Sequence, residues 1–137
     1  MLIKVINKVR EQINIFWFKR DLRLEDNDAL FAALQEKIPL LLIYTFEPSL
    51  MSDEHYSERH FRFLEESLND LNQTLCVFNV DIKILKIEIL PLIKELQNIV
   101  NIQTVYSTEE TGLMITYKRD IDFANFCSKN DIEWKEF

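Results

Sequence analysis

The chain has 137 residues, is 47% hydrophobic, and carries 23 acidic against 16 basic side chains for a formal net charge of -7. That size and apolar content suit one domain with one core, and the acidic excess argues against a free-standing nucleic-acid binder, because phosphate affinity rests on neutralising cations. Cys76 and Cys127 lack C-x-x-C spacing, and His55 and His60 lack a partner at ligand spacing, so neither a disulfide framework nor a metal site is expected.

In residues 1–12, an N-terminal extension, Leu2, Val5, Ile6 and Val9 fall at helical spacing. One α/β domain is expected over 13–137. The nearly unbroken apolar run 13–18, interrupted only by Asn14, predicts a first strand covered on both faces, as in a parallel sheet. A turn dense in charge follows, and Asn27 is placed to cap a helix with Leu30, Ala33 and Leu34 inward. Residues 39–46, PLLLIYTF, form a second buried strand, and 47–56 a linker. Ser57 then caps a long helix with Phe61, Leu64, Leu68, Leu71 and Leu75 along one stripe. Residues 81–88 alternate isoleucine with lysine as a third strand nearer an edge. A short helix begins at Pro91, a fourth strand covers 102–107, a helix over 116–129 turns Tyr117, Ile121 and Ala124 inward, and 132–137 make a fifth strand. Strands alternating with helices at this spacing predict a doubly wound, Rossmann-like, five-stranded parallel sheet with helices on both faces.

No stretch is long and apolar enough for a membrane span, charges interrupt the start where a signal peptide would need an apolar run, and the cysteines read as reduced, so a cytoplasmic protein is expected.

Ligands of such sheets bind beyond the carboxyl ends of the strands. The candidate binding residues there are Lys19, Arg20 and Asp21 after the first strand, Glu47 after the second, and Ser107, Glu109, Glu110 and Gly112 after the fourth. Gly112 is the only glycine, which excludes a G-x-G-x-x-G dinucleotide loop and a P-loop, since both need several glycines to bring backbone up to phosphate. No nucleophile and base fall together at a strand end, so no catalytic residue is assigned. Glu109 and Glu110 point apart on an extended chain, and they read equally well as ligand acceptors or as solvated loop charges. The mixed signs of Lys19, Arg20, Asp21 and Arg23 predict a self-locking polar rim.

The stretch FWFKRDLRLEDNDAL resembles the first strand, turn and helix of the DNA photolyase and cryptochrome family, whose pattern there is R-D-L-R-x-x-D-N-x-A-L. RHFRFLEESLNDLN and VYSTEETGLMITYKRD are similar to its second helix and to its fourth strand, loop and helix start. Asp28 stands where the family often has proline. The resemblance implies the family's N-terminal α/β domain, which commonly holds an antenna chromophore (a folate, deazaflavin or flavin) and passes excitation to FAD. It implies that FAD, the dimer-splitting lyase chemistry of the parent protein, and contact with DNA belong to a C-terminal helical domain, the expected partner, whose sequence is not part of this chain. Met51 and the 1–9 stripe are candidates for the docking face. Two other readings stay open: a free-standing nucleotide-binding or stress-type α/β domain, and a docking domain with an empty crevice.

Overall fold

The computed structural model describes residues 10–137. The expected amphipathic stretch at Leu2, Val5, Ile6 and Val9 lies outside the described residues. Five strands, β1 (Gln12–Phe18), β2 (Leu40–Thr45), β3 (Lys83–Leu85), β4 (Asn101–Ser107) and β5 (Glu133–Glu136), pair in parallel in the order β3-β2-β1-β4-β5. They are joined through α1 (Asp28–Gln35), α2 (Pro48–Met51), α3 (Glu58–Cys76), α4 (Ile89–Leu96) and α5 (Met114–Lys129). This is the doubly wound α/β architecture expected from the alternation of apolar runs and amphipathic stretches.

The sheet is buried on both sides because β1 is apolar on both. Alternation along the strand sends Ile13, Ile15 and Trp17 to one face, where α4 and α5 add Ile89, Ile93, Phe123 and Cys127. Phe16 and Phe18 go to the other, where α1 and α3 add Leu30, Ala33 and Leu68. Asn14 is the exception, and it is satisfied: its Oδ1 accepts the Thr104 N–H at 3.1 Å, where the pairing of β1 with β4 shifts register between Ile13 and Ile15. A side-chain acceptor here replaces the main-chain one that the shift removes.

The caps form at the expected places. Asn27 Oδ1 accepts the Leu30 N–H at 3.0 Å, and Ser57 Oγ accepts the His60 N–H at 3.3 Å. Three expectations are corrected. β3 stops at Leu85, and Glu88 is instead the N-cap position of α4, which begins at Ile89 with Pro91 in its first turn. First-turn N–H groups have no partner within the helix, so proline is tolerated there as well as at the first position. Leu34 is 62% exposed, and Ala29 takes the inward position instead.

The third correction concerns α5. Tyr117 and Ile121 are 62% and 44% exposed and Ala124 is exposed, whereas Thr116, Phe123 and Cys127 face the sheet. The helix carries two apolar stripes, and Phe123 selects between them by fitting edge-on against Trp17 at 5.3 Å and Trp134 at 4.8 Å. Among the described residues no helix is long and apolar enough to cross a membrane.

Candidate functional site

In a parallel sheet all strands release their chain at the same edge, so the residues after β1, β2, β4 and β5 converge there. Arg119, on the sheet-facing side of α5, lies at the centre. Its Nη1 donates to Glu47 Oε1 at 2.8 Å, its Nη2 to Glu110 Oε2, and its Nε to Asp120 Oδ1 at 3.0 Å, with the Asp120 carboxylate also in ion-pair range of Nη2. The side chains are 11% exposed for Arg119, 2% for Glu47 and 6% for Glu110, so this is a buried network with little solvent screening.

One guanidinium therefore serves three carboxylates. Burial alone would lower the Arg119 pKa, and the charges of Glu47, Glu110 and Asp120 outweigh it and raise the value. Glu47 receives only a share of that cation. Burial, helped by a hydrogen bond with Glu88, pushes its carboxyl up to about 7 against the opposing pull of Arg119 and the Ile89 N–H. The sign for stability follows: with a folded-state pKa above the ordinary 4.5, the native protein holds the extra proton, and the contribution of Glu47 to stability falls as pH rises through that window. Urea midpoints taken at the two ends of the window are expected to show this fall in the parent and a shallower one in Glu47→Gln. Equal slopes would assign the titration to another group.

Lys19 forms a second buried centre beside the first. Its Nζ lies over the rings of Trp17 at 4.6 Å and Trp134 at 5.0 Å, and it pairs with Asp120 at 3.1 Å and Glu136 at 3.7 Å. Both indoles are anchored through their N–H groups, Trp17 to Thr45 Oγ1 at 3.3 Å and Trp134 to Ser107 Oγ at 2.9 Å. The result joins the tips of β1, β4 and β5 to α5 through a desolvated cation and two aromatic faces.

Over the ends of β1 and β2 opens a cavity of about 210 Å³. Its lining combines aromatic rings, Tyr44, Phe46, Tyr56, His60 and Phe61, with the ionic groups Glu47, Glu110 and Arg119. The aromatic rings are braced by edge-on and tilted contacts, Tyr44 to Phe46 at 4.9 Å and Tyr56 to Phe61 at 5.6 Å. Such a volume is small against the ~300–1,000 Å³ of pockets that enclose a whole drug-sized ligand. It suits a planar ring whose substituent emerges at the mouth.

The candidate residues read from sequence divide in two. Lys19, Arg20, Glu47 and Glu110 line the cavity. Arg20 is exposed at its edge and donates to the Thr111 carbonyl at 3.2 Å, beside Gly112, whose φ of +121° lies in the region that favours glycine. Gly112 and the other three candidates do not line it. Asp21 pairs with Arg23 at 2.9 Å, Ser107 is fully buried and committed to Trp134, and Glu109 is exposed. The sequence reading missed Arg119, Tyr44 and the aromatic lining. The one signal for Arg119 was the set Thr116, Asp120 and Phe123 at helical spacing, which puts polar groups on the sheet-facing side of a helix end.

The fold and site together define a parallel α/β domain with an aromatic and ionic cavity at the carboxyl edge of its sheet. The chain belongs to the DNA photolyase family: the model of that family matches residues 14–137, and the match is to the N-terminal domain region. Among relatives, it is 30% identical over 105 residues to the chloroplastic/mitochondrial cryptochrome DASH of Solanum lycopersicum, covering 72% of this chain and 18% of that protein. It is 39% identical over 66 residues to cryptochrome-2 of Gallus gallus, covering 48% and 11%. Among solved structures, the photolyase of Sulfolobus tokodaii, determined with two FAD molecules, matches with a TM-score of 0.80 at 28% identity over 90% of this chain and 28% of that one. The Synechocystis cryptochrome shares the fold, with a TM-score of 0.85 at 20% identity over 95% of this chain and 28% of that one. The chain thus spans less than a third of the length of these relatives.

Proposed function

We propose that this chain is the antenna-chromophore domain of a photolyase or cryptochrome-like flavoprotein and that its cavity holds a planar heterocycle, a flavin before a folate or deazaflavin. The observation that carries the reading is the chemistry of the cavity lining, which combines aromatic rings for a planar ligand to lie against with the carboxylate of Glu110, a strong acceptor for ring N–H groups. The Sulfolobus tokodaii photolyase, described with two FAD molecules that imply a novel light-harvesting cofactor, supports a flavin as the first ligand to test. When bound, such a group absorbs light and passes the excitation to a second chromophore. The residues of this chain bind the ring, orient it and keep water from it, and none is required to move a proton or make a bond. Arg20 at the mouth faces whatever substituent emerges.

The exposed stripe of Met114, Tyr117 and Ile121 on α5, in a shallow apolar groove with Leu113 and Ile115, is the proposed docking face for the remainder of the protein. FAD-dependent chemistry and DNA contact belong to that remainder.

Titration with riboflavin and with folate, followed by absorption and ligand fluorescence, tests the reading. Glu110→Ala is expected to weaken the bound ligand by about 1.5–3 kcal/mol, roughly 10- to 150-fold, for one lost charged hydrogen bond. Glu109→Ala, on an exposed side chain, should leave affinity unchanged. A parent protein that binds neither ligand would favour a docking domain with an empty crevice.

A further inference from the structure

We infer that Tyr44 is a ligand-binding residue of the cavity, its hydroxyl donating to a ring carbonyl while the free oxygen of Glu110 accepts the neighbouring ring N–H, so that the cavity selects a heterocycle by its lactam edge. The inference rests on the chromophore reading above and adds to it a second polar contact and a chemical rule for the ligand.

Tyr44 is the penultimate residue of β2, is only 8% exposed, and lines the cavity. In the same hydrophobic cluster β1 supplies Phe16 and Phe18, so packing alone would be met by phenylalanine at this position. The hydroxyl is the unexplained atom. Among the described residues it makes no hydrogen bond, although every side-chain polar atom that is sealed from solvent has a partner. The hydroxyl therefore opens on the cavity. The nearby carboxylate oxygens do not take it up: Glu47 Oε1 accepts from Arg119 and Glu47 Oε2 from the Ile89 N–H at 3.3 Å. Glu110 Oε2 is also held by Arg119, which leaves Glu110 Oε1 without a described donor.

Burial first, and then the Glu110 and Glu47 charges, push the Tyr44 hydroxyl far above its ordinary value. It stays protonated and is available as a donor. One uncommitted donor and one uncommitted acceptor thus line a single cavity. Their complement is an adjacent C=O and N–H pair, the lactam edge common to flavins and pterins. The hydroxyl opens on the cavity with no protein acceptor, so a ligand carbonyl placed there gains an interaction that no protein group supplies.

The test uses riboflavin and its N3-methyl analogue against the parent protein and Tyr44→Phe. The parent is expected to bind riboflavin, and Tyr44→Phe to bind it about 5- to 150-fold more weakly, the range for a buried polar group that loses its partner. The lowest absorption band of the bound flavin should also shift, because the carbonyl loses its donor. The parent should bind the N3-methyl analogue more weakly than riboflavin, a comparison that needs no variant to fold. Equal affinity of parent and Tyr44→Phe for riboflavin, or equal affinity of the parent for the two ligands, would overturn this inference and leave the chromophore reading standing. A parent that binds neither riboflavin nor folate would overturn both.

Discussion

Replacing Arg119 by alanine is expected to lower the unfolding free energy by about 3–5 kcal/mol in the pH range where Glu47 is ionised, the cost of removing one member of a buried ionic network. The size follows from what is left behind. Glu47 and Glu110 are 2% and 6% exposed at the side chain, and no other described cation reaches either within 4.0 Å. Lys19 remains with Asp120 and Glu136 and reaches neither Glu47 nor Glu110. Part of the loss should return as pH falls toward the ordinary carboxylate range, because Glu47 then takes up a proton and one uncompensated charge disappears. Arg119→Lys should rescue little, since an ammonium is a point charge that cannot present the guanidinium fork to carboxylates on different segments. Urea unfolding monitored by circular dichroism checks both statements. A loss below about 1 kcal/mol is the range of solvated surface pairs and would mean that water reaches the cluster freely.

Phe123→Ala is expected to cost about 3–5 kcal/mol, the range for deleting a fully buried phenylalanine. Its ring is 0% exposed and is held edge-on by Trp17 and Trp134, so the vacated space lies between two large rings that are themselves anchored by hydrogen bonds and cannot collapse into it. Tyr117→Ala, on the stripe that periodicity alone would have turned inward, should change stability by no more than about 0.5 kcal/mol. The pair of measurements decides which face of α5 meets the sheet. Similar losses in both would contradict the orientation described above.

The contrast marks how far the sequence was legible. β1 and β2 were readable because they are apolar on both faces, a pattern that only a covered strand needs, and Asn27 and Ser57 marked helix starts through their own chemistry. The face of α5 was not readable. Met114, Tyr117 and Ile121 form one stripe and Phe123 and Cys127 another, and the choice depends on the shape left between Trp17 and Trp134, which no local pattern encodes.

The site divides in the same way. Topology placed Lys19, Arg20, Glu47 and Glu110 at the carboxyl edge, because strand ends are local and their convergence follows from a parallel sheet. Arg119 comes from the middle of a charged run in a helix and becomes central only through tertiary packing. Tyr44 was hidden for the opposite reason: inside an apolar strand it reads as core, and only the unpaired hydroxyl distinguishes it. Of Glu109 and Glu110, alternation required that one point away, but it could not say which.

The placement of the two tryptophans gives the molecule its own optical gauge. Trp17 lines the cavity, and Trp134 lies 6.3 Å from it between ring centroids, so both indoles emit from within a few ångströms of the same place, and the chain has no others. A ring bound there that absorbs in the near ultraviolet overlaps indole emission, at separations where dipolar transfer runs to near completion. Filling of the cavity should therefore extinguish almost all intrinsic fluorescence in proportion to occupancy. A ligand that saturates the protein without extinguishing the emission would sit away from the cavity, so the depth of quenching at saturation tests cavity occupancy as well as binding.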